Sequence, residues 1–194
     1  MGEKSVQKRN YIIKKARELF QEKGYLNVTM KDIVDACEIS RGGLYLYFDS
    51  VKELFEEVLR AENEEGDDVL DLAISKASSS AEILQIFLEE QKKELLKSKE
   101  SLSEAIYEYY FQNEVPAKEH PLRLQFDMAV RIVERLIAGG VEEGDFSCED
   151  PRGAARNIMY VLEGLRISSL TSGITEDMVN REMHFIMKNM LCLV

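Results

Sequence analysis

The sequence predicts an all-α protein. Prolines occur only at positions 116, 121 and 151 of the 194 residues, so long helices are permitted almost everywhere. Helix-capping residues recur along the chain, and each is followed by apolar residues at helical spacing. We therefore expect about eight or nine helices, with enough residues for a buried core in one or two domains.

The first helix is predicted over residues 5–23. Its apolar residues recur at helical spacing, and Gly24 follows as a stop signal. We expect this helix to brace the two short helices that follow it. The residues of its apolar stripe are Ile12, Ala16, Leu19 and Phe20.

Two short helices with a tight turn between them are predicted next. Thr29 followed by Asp32 is a capping signal that starts the first of them, and a break follows at residues 38–40. Ser40 is placed to cap the second, over residues 41–48. This is a helix-turn-helix arrangement, in which the second helix enters the major groove of DNA. The apolar side of the first of these helices is Ile33, Val34 and Cys37.

The composition of the second helix supports DNA contact. Gly42 and Gly43 each cost a helix up to roughly 1 kcal/mol relative to alanine, but glycine lets the backbone approach a base edge or a phosphate closely. Arg41 lies at the leading end and can pair with guanine or phosphate, and tyrosine hydroxyls can donate to phosphate oxygens. For Tyr45 or Tyr47 taken alone, the alternative to DNA contact is that the ring packs half-buried against the protein. Leu44 and Phe48 can both face the core.

The later helices have their own start signals. Ser50 and Glu53 form a capping box that starts a long helix through about residue 75, with Leu54, Phe55, Val58 and Leu59 inward. Ser79 and Ser101 are predicted caps. Asp150 precedes a proline at the first helical position, and Thr175 caps the last helix. A stop at Gly139-Gly140 is expected. The predicted helices are 80–98, 102–113, 122–140, 151–172 and 176–192.

The net charge of −11 is unevenly distributed. Residues 1–48 contain nine Lys/Arg against six Asp/Glu, a balance of +3, while the remainder contains 16 against 30, a balance of −14. Because screening limits phosphate attraction to about 8 to 10 Å at physiological salt, an acidic body can carry a basic DNA-binding head.

Other classes of protein are disfavoured. Three distant cysteines and two histidines give neither a disulfide framework nor metal-ligand spacing, so no metal is expected, and Cys37 is expected to pack as a small hydrophobe. No phosphate-binding loop or nucleophile–base motif is present, so we expect no enzyme and no cofactor. The sequence has no long apolar run, and its first ten residues lack the apolar core of a signal peptide, which predicts a cytoplasmic protein.

Residues 8–60 resemble the DNA-binding segment of the tetracycline-repressor-type (TetR) family of bacterial regulators. The matching residues are Thr29, Asp32-Ile33, Ile39-Ser40-Arg41-Gly42, Leu44-Tyr45, Tyr47-Phe48 and Glu53-Leu54-Phe55, and residues 12–25 resemble the family's first helix. We therefore expect the DNA contacts to come from Thr29, Ser40, Arg41, Gly42, Gly43, Tyr45, Tyr47 and Lys52.

Three positions depart from the family pattern. The turn residue that is usually glycine is Glu38, which places a negative charge near the DNA-facing side. Gly43 replaces a usual threonine, and Val51 replaces a usual lysine. Lys52 is the neighbour that could take over the phosphate contact, although a shift of one residue turns a helical side chain by roughly 100°.

The last two predicted helices carry an apolar face, which Gly164 would allow another helix to approach closely. Periodicity alone leaves burial within one chain and burial between two chains equally open. The resemblance favours the second, because this family pairs its final two helices into a four-helix bundle between protomers; the homodimer would bind a palindromic operator. The face comprises Ala155, Ile158, Met159, Leu162, Leu165, Met178, Val179, Met183, Ile186, Met187, Met190 and Leu191.

A pocket for a small-molecule effector of unknown identity is expected among aromatic and methionine side chains of the helical body. Glutamates near them could supply charge for a cationic ligand, although ordinary core packing and solvated helix faces are the alternative. The resemblance implies that the effector shifts the linking helix and lowers operator affinity. The candidate ligand-binding residues are Phe87, Glu104, Tyr107, Glu108, Phe111, Phe126, Met159 and Glu163.

The sequence thus predicts a ligand-responsive DNA-binding transcriptional regulator, and the expected mode of action is repression. The predicted domains are a DNA-binding domain of residues 1–66, which includes the start of the linking helix, and an effector-binding and dimerisation domain of residues 67–194. The alternative is a helical interaction protein that has lost specific DNA binding, for which Glu38 and Val51 are the hints.

Overall fold

The all-α prediction is confirmed by a computed structural model, which describes residues 3–74, 79–97, 101–116, 118 and 120–190. These residues form nine α-helices and a final π-helical turn at Ile186–Met190. The α-helices are α1 Glu3–Lys23, α2 Met30–Cys37, α3 Arg41–Tyr45, α4 Val51–Ile74, α5 Ser80–Leu96, α6 Ser103–Gln112, α7 Pro121–Glu143, α8 Pro151–Thr171 and α9 Glu176–Phe185. The predicted end of the last helix, near residue 192, lies outside the described residues.

The chain divides into two compact units. The first unit comprises Met1–Asp68 with Lys99–Glu114, and the second comprises Val69–Ser98 with Val115–Val194. Helix α6 therefore packs with α1 and the first part of α4 in the first unit, and not with the later helices, where the predicted domain of residues 67–194 placed it.

The first unit has its own core. The residues expected to face inward from the first and fourth helices are buried, except that Leu19 and Leu59 are only partly buried at its edge. Cys37 packs in this core as a small hydrophobe, as predicted. The buried residues are Ile12, Ala16, Phe20, Val28, Ile33, Cys37, Leu44, Phe48, Leu54, Phe55, Val58, Leu102, Ala105 and Tyr109.

Aromatic rings join α6 to the rest of the first unit. The Tyr109 ring meets the Tyr25 ring edge-on at 5.1 Å and lies 5.2 Å from the Phe55 ring, while Phe20 and Phe55 pack edge to face at 4.7 Å. Pairs at such distances add about 0.5–1.5 kcal/mol each beyond their area burial. The cluster thus holds α6 against the end of α1 and against α4.

The second unit is built from α5 and α7 to α9. Its buried residues come from every one of these helices, and Phe146, in the turn between α7 and α8, joins them. The predicted caps of three helices are confirmed, because Ser79, Asp150 and Thr175 each accept a hydrogen bond from the backbone N–H three residues later.

The predicted helix end at Gly139-Gly140 is wrong. Helix α7 extends past this pair to Glu143. Gly144 caps it, with a φ of 84° in the left-handed region that glycine favours. A Cβ on Gly140 would collide with the ring of Phe146, and the Phe146 N–H donates to the Gly140 carbonyl at 3.1 Å. Gly140 therefore provides space for a ring and does not stop the helix.

The predicted cap at Ser101 is also wrong. Its Oγ accepts from the Ser103 N–H at 3.2 Å and not from Glu104, while Leu102 occupies the N-cap position without a side-chain bond. Leu102 is buried in the core of the first unit, so packing fixes the start of α6 there.

Candidate nucleic-acid interface

The start of α2 is fixed by a capping box, as predicted. Thr29 Oγ1 accepts from the Asp32 N–H at 3.2 Å, and the Asp32 carboxylate accepts from the Thr29 N–H at 2.9 Å. Lys23 also donates to Asp32, at 2.8 Å. Hydrogen bonds from Lys23 and then Thr29 hold the pKa of the Asp32 carboxyl well below its usual range. Thr29 is exposed, and its hydroxyl is already engaged in the cap.

The turn between α2 and α3 places a non-glycine residue in the left-handed region. Glu38 has φ 53° and ψ 42°, and it is the only such residue with positive φ in the described part of the chain. The Ile39 N–H donates to the Val34 carbonyl at 3.3 Å, which is the long bond of a Schellman motif. The turn needs this backbone geometry, and an L-residue adopts it at a cost of roughly 1–2 kcal/mol.

Helix α3 is capped as predicted but is shorter than predicted. Ser40 Oγ accepts from the Gly43 N–H at 3.1 Å, and the helix ends at Tyr45 where the sequence suggested Phe48. The Leu44 carbonyl accepts from both the Tyr47 and the Phe48 N–H, at 2.9 and 3.1 Å, so the chain tightens into a turn. Leu44 and Phe48 are buried, which confirms the predicted inner face.

The outer surface of α3 combines charge, an aromatic ring and open space. Arg41 is exposed, and its guanidinium carbon lies 5.6 Å from the centre of the Tyr45 ring. Tyr45 is 38% exposed, whereas Tyr47 is partly buried against the core of the first unit. A Cβ on Gly42 would meet no atom within 4 Å, whereas one on Gly43 would lie 3.1 Å from Ser40 Oγ. Open space thus surrounds only the first of the two glycines.

Two residues near this surface were not among the sequence candidates. Leu46 is 81% exposed immediately after α3. Arg9 of α1 lies 5.1 Å from the centre of the Phe48 ring and pairs with Glu57 of α4 at 2.5 Å, so it ties three segments together. The pairing of Arg9 with a distant helix does not follow from local spacing, and the apolar side chain of Leu46 gives no signal for contact with DNA.

Lys52 lies in the first turn of α4 with an exposed side chain. Its Nζ is 4.0 Å from Glu56 Oε1, a weak exposed pair that leaves the ammonium group accessible. The capping box predicted from Ser50 and Glu53 forms in altered geometry. Ser50 Oγ accepts from the Glu53 N–H as expected, whereas Glu53 Oε2 accepts from the N–H of Asp49, at 2.7 Å.

The eight candidate ligand-binding residues divide between the two units. Glu104, Tyr107, Glu108 and Phe111 belong to α6 of the first unit. Glu108 Oε2 accepts from the Leu26 N–H at 3.0 Å, so this carboxylate has a structural partner. Phe111 is 84% exposed and stacks on Tyr107 at 6.3 Å, so it does not wall an enclosed cavity.

The other four candidates lie in the second unit. Met159 is buried in its core, and Phe87 and Phe126 pack partly buried against it. Glu163 pairs with Arg166 at 3.0 Å, and Arg166 also donates to Gln91 of α5 at 3.0 Å. The negative charge of Glu163, which we expected for a cationic ligand, is thus compensated by an arginine.

The apolar residues predicted as a partner face on α8 and α9 are mostly buried within the chain. Ala155, Ile158, Met159, Leu162, Val179 and Ile186 belong to the core of the second unit, and Leu165, Met183 and Met187 pack against it. Met178 is exposed, whereas the side chains of Met190 and Leu191 lie outside the described ones. The outward apolar residues of these two helices are Tyr160, Ile167, Met178 and Phe185, and a Cβ on Gly164 would meet open space.

Among the residues that the structure describes, no helix has the length and apolar character needed to cross a bilayer. The same residues also contain no group of three or more His, Cys, Asp or Glu side chains placed to hold a metal ion.

Two family models match the chain. The model described as bacterial regulatory proteins, tetR family, matches residues 12–58, and that of a tetracyclin repressor-like C-terminal domain matches residues 83–180. The uncharacterized HTH-type transcriptional regulator YfiR of Bacillus subtilis (strain 168) is 32% identical over 143 residues, which cover 72% of this chain and 68% of that protein. The biofilm operon icaADBC HTH-type negative transcriptional regulator IcaR of Staphylococcus aureus (strain Newman) is 32% identical over 77 residues, 40% of this chain and 41% of that protein.

Solved structures share the fold at low sequence identity. A putative transcriptional regulator from Saccharomonospora viridis in complex with choline superposes with a TM-score of 0.77 at 21% identity, over 96% of this chain and 98% of that chain. A TetR transcription regulator from Haloarcula marismortui ATCC 43049 gives a TM-score of 0.76 at 19% identity, over 96% and 99%.

Proposed function

The chain belongs to the tetR family of bacterial transcriptional regulators, and on this premise we propose that it is a homodimeric repressor that a small molecule releases from a palindromic operator. The observation that carries the proposal is the outer surface of α3, where Arg41 and Tyr45 flank the open space at Gly42. The similarity to IcaR, a negative regulator by its name, supports repression.

In this proposal the residues of the interface have different tasks. Arg41 and Tyr45 contact base edges or phosphates from α3, and the backbone at Gly42 approaches the duplex. Ser40 and Gly43 set the start of α3, and Thr29 sets the start of α2, so these residues act by positioning as well as by contact. The predicted contacts of Tyr47 and Lys52 are with phosphate oxygens.

A homodimer would cover the outward residues of α8 and α9. Burying Ile167, Met178 and Phe185 against a second copy removes apolar side chains from water, and Gly164 permits close approach of a partner helix. Because a two-fold dimer presents two copies of α3, it matches a site with two-fold symmetry.

The proposed effector response runs through α6. In the proposed division, residues 1–66 bind DNA, and residues 67–194 bind the effector and form the dimer. Helix α6 belongs to the second of these ranges but packs within the first compact unit. Glu108 and Tyr109 of α6 bond to Leu26 and Glu56, so a displacement of α6 alters the supports of α2 and α4. An effector acts only through its different affinities for the two arrangements. A neighbour's complex with choline supports a small-molecule ligand without identifying it.

The proposal is tested by a gel-shift titration of the full-length chain against duplex DNA from upstream of its own gene. A discrete complex that resists unlabelled random competitor is expected. Uniform binding to all duplexes would contradict specific recognition and would support the alternative, a helical interaction protein without an operator. A thermal-shift screen of small molecules then identifies effectors, each of which should weaken the complex.

A further inference from the structure

Leu46 is an apolar side chain left in water on the surface proposed to face DNA. It is 81% exposed, whereas its neighbours Leu44 and Phe48 are buried and Tyr47 is partly buried. A single exposed leucine is common on protein surfaces, so exposure alone indicates nothing. Its position immediately after α3, beside Tyr45, is what distinguishes Leu46 from the others.

The backbone around Leu46 is held in place, so the side chain has little freedom to turn inward. The Leu44 carbonyl accepts from the N–H groups of both Tyr47 and Phe48. Phe48 is in turn anchored in the core and covered on one side by the Arg9 guanidinium. The leucine is therefore presented outward by a segment whose two ends are fixed.

The chemistry of an exposed leucine restricts what it can contact in a duplex. It has no hydrogen-bonding group, so it cannot pair with a phosphate oxygen or with the polar edge of a base. The largest apolar group on the floor of the major groove is the 5-methyl group of thymine, which aliphatic side chains contact in other complexes. We propose that Leu46 contacts the methyl group of a thymine in each half of the operator and thereby helps to set sequence preference.

This inference rests on the proposed operator binding and adds one base-specific residue to it. Burial of one methyl group corresponds to about a fourfold change in affinity. A dimer that contacts two half-sites should therefore lose roughly 15-fold when both methyl groups are removed.

The test uses the full-length protein and duplexes selected from a random pool. Each thymine of the selected site is replaced in turn by deoxyuridine, which lacks only the methyl group, and affinity is measured by fluorescence anisotropy at one fixed salt concentration. For the unaltered protein we expect about a fourfold loss at one thymine of each half-site. For Leu46→Ala the thymine and deoxyuridine duplexes should bind equally at that position.

Leu26→Ala is the matched control, because Leu26 is also an exposed leucine of the first unit but lies in the turn before α2. This variant should keep the full methyl dependence. Leu46→Ala should keep the thermal unfolding midpoint of the parent, since the deleted atoms are exposed. Equal methyl dependence in Leu46→Ala and the parent overturns the inference, as does a parent with no methyl dependence. Failure of the pool to yield any preferred duplex overturns the proposed function itself.

Discussion

The hydroxyl of Tyr109 donates a hydrogen bond to Glu56 Oε1 across 2.6 Å, which joins α6 to α4 inside the first unit. Burial, and then the adjacent Glu56 carboxylate, raise the pKa of Tyr109 above its usual value of 10.0. The phenol therefore stays protonated and remains a donor throughout the physiological pH range. This bond is a defined contact by which α6 can affect the helix that follows the DNA-binding segment.

Tyr109→Phe should destabilise the protein by about 1 kcal/mol, because it deletes the donor while retaining the ring packing. The loss stays small because half-exposed Glu56 regains water. Urea unfolding of Tyr109→Phe, Glu56→Gln and the double variant measures the interaction. If the two single effects simply add, the two groups do not interact and the assigned contact is wrong.

The same bond predicts a pH dependence at alkaline pH. Because the pKa of Tyr109 is raised in the folded state, its stabilising contribution is complete below the unfolded value of 10.0 and falls as pH rises above it. The free energy of unfolding of the parent should therefore decrease more steeply above about pH 10 than that of Tyr109→Phe. Parallel pH profiles of the two proteins would contradict this assignment.

Glu38→Gly should stabilise the protein by about 1 kcal/mol. Glycine relieves the strain of the left-handed backbone at residue 38, and this gain exceeds the entropy that glycine adds to the unfolded chain. Glu38→Ala is the control, since it removes the carboxylate but keeps the Cβ, and it should give no such gain. Both variants lack the carboxylate, so both should bind DNA with higher affinity than the parent at low salt. A stabilised alanine variant would show that charge, and not backbone conformation, is the cause.

Arg41→Ala and Tyr45→Ala should each weaken operator binding by about 1–3 kcal/mol. The arginine lies over the tyrosine ring, so the double variant should lose less than the sum of the single losses. Anisotropy titrations measure all three. Arg152→Ala is the control, because this exposed arginine lies on α8 of the second unit. The operator affinity of this variant should equal that of the parent protein. Unchanged affinity in both single variants would remove α3 from the interface.

Ile167→Glu and Phe185→Glu should shift the protein from dimer to monomer, because each places a charge where two copies are proposed to meet. Both side chains are exposed in the single chain, so its folding should be preserved. Sedimentation velocity gives the mass, and Leu124→Glu on α7 serves as the control that stays dimeric. A dimer in all three variants would place the subunit interface elsewhere.

Local chemistry explains which parts of this structure the sequence could predict. The caps at Thr29, Ser40 and Asp150 depend on an atom three residues away, so the pattern of residues was sufficient. The function of Gly140 depends on Phe146, and a glycine pair gives the same local signal whether it stops a helix or makes room for a ring.

Contacts between distant segments could not be predicted. Tyr109 bonds to a residue 53 positions away, and Glu108 bonds to one 82 positions away, so no periodicity places α6 in the first unit. Leu46 carries no sequence signal for DNA contact, because a leucine has no polar group for a phosphate or base edge; only its 81% exposure immediately after α3 distinguishes it.

The close approach of α6 to the end of α1 has a genetic consequence. Gly24 has φ 75°, and any side chain there would collide with the Glu108 carboxylate that accepts the Leu26 amide. A missense allele at codon 24 would therefore disturb both α6 and the entry to the DNA-binding segment. Its carriers would misregulate the target genes although every residue proposed to touch the duplex is intact.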